Sequence, residues 1–173
     1  MKKAGYQIFL MALAFTLLSL PGLAVALDSK YEAETLRGIK ALHVIIKGFE
    51  SEIEQYGLTR EKIQNELETK LGMAGIKVLS KEECLKEQGS PYLTLMVGTL
   101  RAFTTRDTEF YFFSIVINLR QGVYLERKPE TLVGGITTWS NTRFGINFAQ
   151  NIRSEINDAT DQFFKAYTAA NAE

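Results

Sequence analysis

The run FYFFSIVINLRQGVYL, Phe110 to Leu125, limits what this chain can fold into more than any other stretch. Taken in steps of two, one side carries Tyr111, Phe113, Ile115, Ile117, Leu119, Val123 and Leu125. The other side mixes Phe110, Phe112 and Val116 with Ser114, Asn118 and Arg120. Alternation of this length marks a strand whose two faces meet different surroundings. Leaving the apolar side in water would forgo about 1.5 to 3 kcal/mol per large side chain, a total that rivals the net stability of a whole domain. The chain must supply a cover.

Two helical patterns can provide it. In LTREKIQNELETKLGMAG, Thr59 has the character of an N-cap, and Leu58 and Ile63 stand where a hydrophobic staple joins them. Ile63, Leu67, Leu71 and Ala74 form one stripe closed by Gly75. Near the end of the chain Phe144, Phe148, Ile152, Ile156, Ala159, Phe163 and Tyr167 recur at steps of four or three, which predicts a long helix beginning near Phe144.

Further strands flank these helices. KALHVIIKGF alternates Leu42, Val44 and Ile46 with His43, Ile45 and Lys47, IKVL is a short strand, and Tyr92 to Phe103 pairs with Phe110 to Leu125 across the polar turn TTRDTE. Ser80 and Glu83 have capping-box spacing for a short helix that stops at Gly89 to Pro91. Thr131 to Asn141 is expected as another strand, with a bulge or a close backbone approach at Gly134 and Gly135. The predicted architecture is α+β, a two-layer sandwich: a mostly antiparallel sheet of four or five strands with two main helices packed on one face.

The chain opens with a basic pair, Lys2 and Lys3, then an apolar run from Ile8 to Leu20 and the small-x-small triplet Ala24-Val25-Ala26. This layout predicts a signal peptide over residues 1–26, cleaved after Ala26, because the run is broken by Pro21-Gly22 and is short for a spanning helix. With no cysteine near that site, a lipid-modified N-terminus is not expected. Residues 27–38 are then a polar, flexible lead-in, and 39–170 form a single domain, periplasmic or secreted. The 20 basic and 20 acidic residues give no electrostatic footprint for nucleic acid or for an anionic membrane. Cys84 is the sole cysteine, so an internal disulfide is excluded.

No motif names a reaction. His43 is the only histidine and sits inside a strand, which argues against paired-histidine metal sites and against a catalytic base. The glycines of GGITTWSNTRFG lack the spacing and the lysine of a phosphate-cradling loop. Most acids, Glu61, Glu66, Glu68, Glu82 and Glu83 among them, lie on polar helix faces. No catalytic residue, cofactor or metal is therefore expected. Five residues form the candidate binding set. Phe110, Phe112 and Tyr124 belong to the sheet face away from the helices. Trp139 either grips a ligand or plugs the junction of sheet and helix, and Arg143, near the expected helix start, has the chemistry to hold a carboxylate or phosphate.

The order of elements, an initial strand, a capped helix ending in LGMAGIKVL, a long hairpin, a further strand and a C-terminal helix, resembles small α+β domains of bacterial envelope proteins. It is similar in particular to the N-terminal domain of TolB and to the globular domain of LpoB-type penicillin-binding-protein activators. The resemblance covers most of Ile39 to Tyr167, carries no diagnostic motif and lacks the lipid-attachment cysteine of the activators. It implies a non-enzymatic module that docks onto other envelope proteins, and the aromatics Phe110, Phe112 and Tyr124 with the strand edge near Thr131 to Asn141 make the exposed sheet face or edge the expected contact. The alternatives are a carrier of a small apolar ligand or lipid between sheet and helices, lined by Phe113, Ile115, Phe148 and Ile152, and an unrecognised hydrolase.

Overall fold

The computed structural model describes residues 30–48, 51–105 and 108–172. The expected signal peptide, residues 1–26, lies outside them. In chain order the elements are α1 (Lys30–Glu34), β1 (Ala41–Gly48), α2 (Ser51–Glu54), α3 (Arg60–Met73), β2 (Lys77–Leu79), α4 (Lys81–Cys84), β3 (Tyr92–Thr105), β4 (Thr108–Leu125), β5 (Lys128–Phe148) and α5 (Ile152–Asn171), the last preceded by a 3-10 turn at Ala149–Asn151.

Five strands form one sheet in the order β2-β1-β3-β4-β5. β1 pairs in parallel with β2 and β3, whereas β3, β4 and β5 are antiparallel. The sheet is thus mixed. Its parallel half follows from connectivity, because α3 carries the chain from β1 to β2, and a helical crossover is the usual way to return a strand in the same direction.

The helix starts obey local chemistry. Thr59 accepts a hydrogen bond from the Lys62 amide, and Leu58 and Ile63 are both buried, as a staple requires. Ser80 and Glu83 complete a reciprocal capping box at α4. The apolar side of β4, Tyr111, Phe113, Ile115, Ile117 and Leu119, is buried with Leu93, Leu95 and Val97 of β3 and Leu42, Val44 and Ile46 of β1. Ile63, Leu67 and Leu71 of α3 and Ile152, Ile156, Ala159 and Phe163 of α5 belong to the same core. The layered arrangement expected from the sequence is the one observed.

One expectation differs from the structure. The helix predicted from Phe144 begins only at Ile152, and Phe144 and Phe148 lie on β5, which continues through Phe148. A step of four residues satisfies a helical stripe and is also twice the strand period, so those two phenylalanines fitted both. The alternation of Thr142, Phe144, Ile146 and Phe148 on one side decides for strand.

Residues 35–38, at the end of the segment expected as a lead-in, contact the rest of the domain. Leu36 is fully buried, and Thr35 Oγ1 donates to the Thr138 carbonyl at 3.1 Å. Asn171 Nδ2 donates to the Leu36 carbonyl at 3.2 Å, and the Gly38 amide donates to Asn171 Oδ1 at 2.8 Å. Leu36 and the side chains of Thr35 and Asn171 thereby join this segment to β5 and to the end of α5.

Candidate functional site

On the sheet face opposite α3 and α5, α4 stands over the β1 end, and among the described residues no helix covers Leu100, Phe112, Phe144 and Ile146 of β3, β4 and β5. Antiparallel register places Leu100 of β3 opposite Phe112 of β4, and Phe112 opposite Ile146 of β5, so the three form one row across the sheet. Phe144 lies opposite Ser114 in the next register on that face. Phe110 and Phe148, opposite one another on the other side of the row, bring their ring centroids to 4.6 Å. Leu100, Phe112, Phe144 and Ile146 are 68%, 49%, 81% and 50% exposed. Single exposed apolar residues are ordinary on a protein surface, but a contiguous group is the usual mark of an interaction site.

This group reaches an open edge. β5 is the last strand of the order, 21 residues long, and among the described residues only β4 pairs with it. Edge strands are commonly guarded by charges or proline. Here Lys128, Pro129 and Glu130 stand at its start, while Trp139 to Phe148 contains one charged residue, Arg143. A shallow recess of about 440 Å³ runs along this edge, lined by Phe113, Arg143, Phe144, Gly145, Ile146 and Glu155 among others. Gly145 makes room for it: a Cβ there would come within 3.2 Å of the Phe113 ring.

Of the residues singled out in the sequence, Phe110 and Phe112 fall together on this face. Tyr124 does not join them. It is twelve residues further along β4, about 40 Å at 3.4 Å per residue, and its cross-strand partner is Leu132. Trp139 lies opposite Leu119 on the helix side, is 2% exposed and meets Phe163 edge-on, so it belongs to the core. Arg143 also faces the helix side, opposite Ile115. Its guanidinium is held by Glu155 at 2.6 Å and Asp158 at 3.5 Å, and the helix starts at Ile152 rather than beside it. The protein's own carboxylates occupy the group expected to hold a ligand's.

Leu100, Phe144 and Ile146 were missed by sequence reasoning. Phe144 fits the helical stripe as well as a strand, which masks the strand signal of Phe144-Gly145-Ile146. Leu100 lay in a recognised strand, but the register that sets it beside Phe112 is a tertiary property.

The ionisable groups form structural contacts. Glu109 Oε2 accepts from the Tyr56 hydroxyl at 2.8 Å and from the Tyr111 hydroxyl at 2.9 Å, with Arg101 at 3.5 Å from its other oxygen. These partners, Tyr56 first, hold the Glu109 carboxyl below the usual carboxylate range. Tyr111 is pushed up, chiefly by burial. His43 Nδ1 lies 2.8 Å from the Leu79 carbonyl oxygen, which only accepts, so that nitrogen carries the proton. Cys84 donates its thiol hydrogen to the Pro91 carbonyl at 3.2 Å, and burial pushes its pKa up. Among the described residues no group of three histidine, cysteine, aspartate or glutamate side chains is placed to hold a metal ion. No helix among them is long and apolar enough to cross a membrane.

No family model matches the chain, and no curated protein matches it in sequence. Solved structures do show similarity. A PelC dodecamer from Paraburkholderia phytofirmans matches over 76% of this chain and 90% of its own, at 15% identity and a TM-score of 0.47. A minor lipoprotein from Acinetobacter baumannii matches over 76% of this chain and 93% of its own, at 10% identity and a TM-score of 0.37. The rare lipoprotein B from Shewanella oneidensis matches over 73% of this chain and 89% of its own, at 7% identity and a TM-score of 0.30. Two of these three are lipoproteins, and none is TolB. Likenesses this distant assign no activity to the chain.

Proposed function

We propose that this chain is an exported, non-enzymatic protein of the bacterial envelope that docks onto another protein through its open sheet face and the adjoining β5 edge. The observation that carries the reading is the row Leu100, Phe112 and Ile146 with Phe144 beside it, continuous with an unpaired strand edge. Covering a half-exposed side chain of this size contributes on the order of 1 kcal/mol, and an added strand supplies main-chain hydrogen bonds together with alternate side-chain contacts. Export rests on the layout of residues 1–26.

The carrier reading has less support. Ile115 and Ile152 are fully buried in a shared core, and the gap between α3 and α5 lined by Ile63, Leu67 and Ile156 holds about 10 Å³. That is the space of one water at most.

A photo-crosslinking amino acid placed at position 144 tests docking, with a second at exposed Lys165 on α5 as control. A discrete adduct from position 144 that is absent from 165, and is lost on Phe112→Ser with the fold retained, is the expected result. Equal labelling from both positions would refute the assignment of the surface.

A further inference from the structure

The same sheet face carries a second feature at its other end. His43 and Ile45 of β1 and Tyr92 of β3 form the floor of a groove of about 610 Å³. Lys81 and Leu85, from α4 and the turn after it, stand on one side, and Leu132 and Gly134 of β5 on the other. Eight residues of β3, about 27 Å, separate Tyr92 from Leu100 of the docking row.

The groove is built into the fold. Register shifts between Leu119 and Arg120 and between Gln121 and Val123 bend the end of the β4–β5 hairpin. Arg120 Nε donates to the Gly135 carbonyl at 2.9 Å, and its guanidinium carbon lies 5.8 Å from the centre of the Tyr92 ring. The Gly122 amide donates to the Gly89 carbonyl at 2.6 Å. These contacts hold the β5 wall against the floor.

Gly134 is the informative residue. Gly135 needs to be glycine, since its φ is +66° and a Cβ would sit 3.1 Å from the Tyr92 hydroxyl. Gly134 has no such need: its φ is not positive, and a Cβ would meet nothing within 4 Å. Glycine inside a strand costs about 0.5 to 1 kcal/mol against alanine. Gly134 lines the groove together with Leu132, so the missing side chain leaves the groove its width.

We infer that this groove binds a small, predominantly apolar molecule carrying one acidic group. The volume falls within the range of about 300 to 1,000 Å³ typical of ligand sites. Ile45, Leu85, Leu132 and the Tyr92 ring supply apolar contact. The Lys81 ammonium and the Tyr92 hydroxyl supply donors on the α4 side and the floor, while the His43 imidazole, whose Nδ1 proton is given to Leu79, presents an acceptor. Lys81 is exposed and makes no ion pair among those of the described residues. The one acid of the lining, Glu87, lies with Gly89 and Leu132 where the groove meets a neighbouring cleft. The site is separate from the docking row and does not depend on it.

The test is calorimetric titration of the purified chain with decanoate and with decanol. Gly134→Leu should weaken decanoate binding by at least about tenfold while near-ultraviolet circular dichroism stays unchanged. Lys81→Gln should weaken decanoate by about three- to tenfold and leave decanol unaffected. Phe144→Ser, in the docking row, should change neither. Undiminished decanoate binding by a folded Gly134→Leu variant would overturn the site, as would no binding of either probe. Equal affinity for both probes with no effect of Lys81→Gln would overturn the acidic group.

Discussion

Trp139 of β5 meets Phe163 of α5 edge to face, with ring centroids 5.4 Å apart and planes at 72°. This contact fastens the edge strand to the helix layer. Phe163 also stacks with Tyr167 at 6.3 Å, and the Tyr167 hydroxyl donates to the Ile39 carbonyl at 2.9 Å. One aromatic chain therefore runs from the last strand through the last helix to the start of the domain.

Phe163→Ala should be severe. Removing a buried aromatic leaves a cavity against Trp139, and the expected loss is about 3 to 5 kcal/mol of unfolding free energy. Urea denaturation followed by Trp139 fluorescence, Trp139 being the only tryptophan, measures it directly. A loss below 1 kcal/mol, on the scale of a surface change, would show that the core does not close on this pair.

Phe144→Ser should behave in the opposite way. Phe144 is 81% exposed, so little packing is lost, and the expected change is less than about 1 kcal/mol. Thermal unfolding of this variant beside Phe163→Ala separates the phenylalanine that holds the fold from the one that faces outward.

Acid unfolding should report Glu109. Its carboxyl titrates below the usual range in the folded protein because the Tyr56 and Tyr111 hydroxyls donate to it. A folded-state pKa below the unfolded one gives stability that is complete above the unfolded value, about 4.3, and is lost as pH falls through the folded value. Glu109→Gln should therefore make stability less steeply dependent on pH in the acid range below about 4.3. Denaturation midpoints at successive pH values compare the two proteins, and parallel acid limbs would contradict the assignment.

Cys84 should be a slow thiol in the native state. Burial pushes its pKa up, and its hydrogen is given to the Pro91 carbonyl. Iodoacetamide at mildly alkaline pH should react at least about tenfold more slowly with native than with urea-unfolded protein. Mass spectrometry of the alkylated fraction over time reads the difference.

Much of this layout was legible along the chain because it is local. Thr59 with Leu58 and Ile63, and Ser80 with Glu83, are chemical relationships within five residues, and both caps form. Leu42, Val44 and Ile46 alternate in sequence and are buried in the structure. What escaped depends on long-range pairing. The parallel match of His43 with Leu79 and with Tyr92 joins residues far apart in the chain, and no local pattern encodes the direction of a partner strand. The binding surface was half visible for the same reason. Phe110 and Phe112 announced themselves by alternation, whereas Phe144 and Ile146 reach them only through the β4–β5 register, and Tyr124 left the group because a strand of 18 residues outruns a single site.

The bonds between Asn171 and the Leu36–Gly38 segment bring the beginning and the end of the described chain to one corner. Joining them with a short linker and cutting at the Glu126–Arg127 turn, between β4 and β5, should give a circular permutant that keeps the sheet intact.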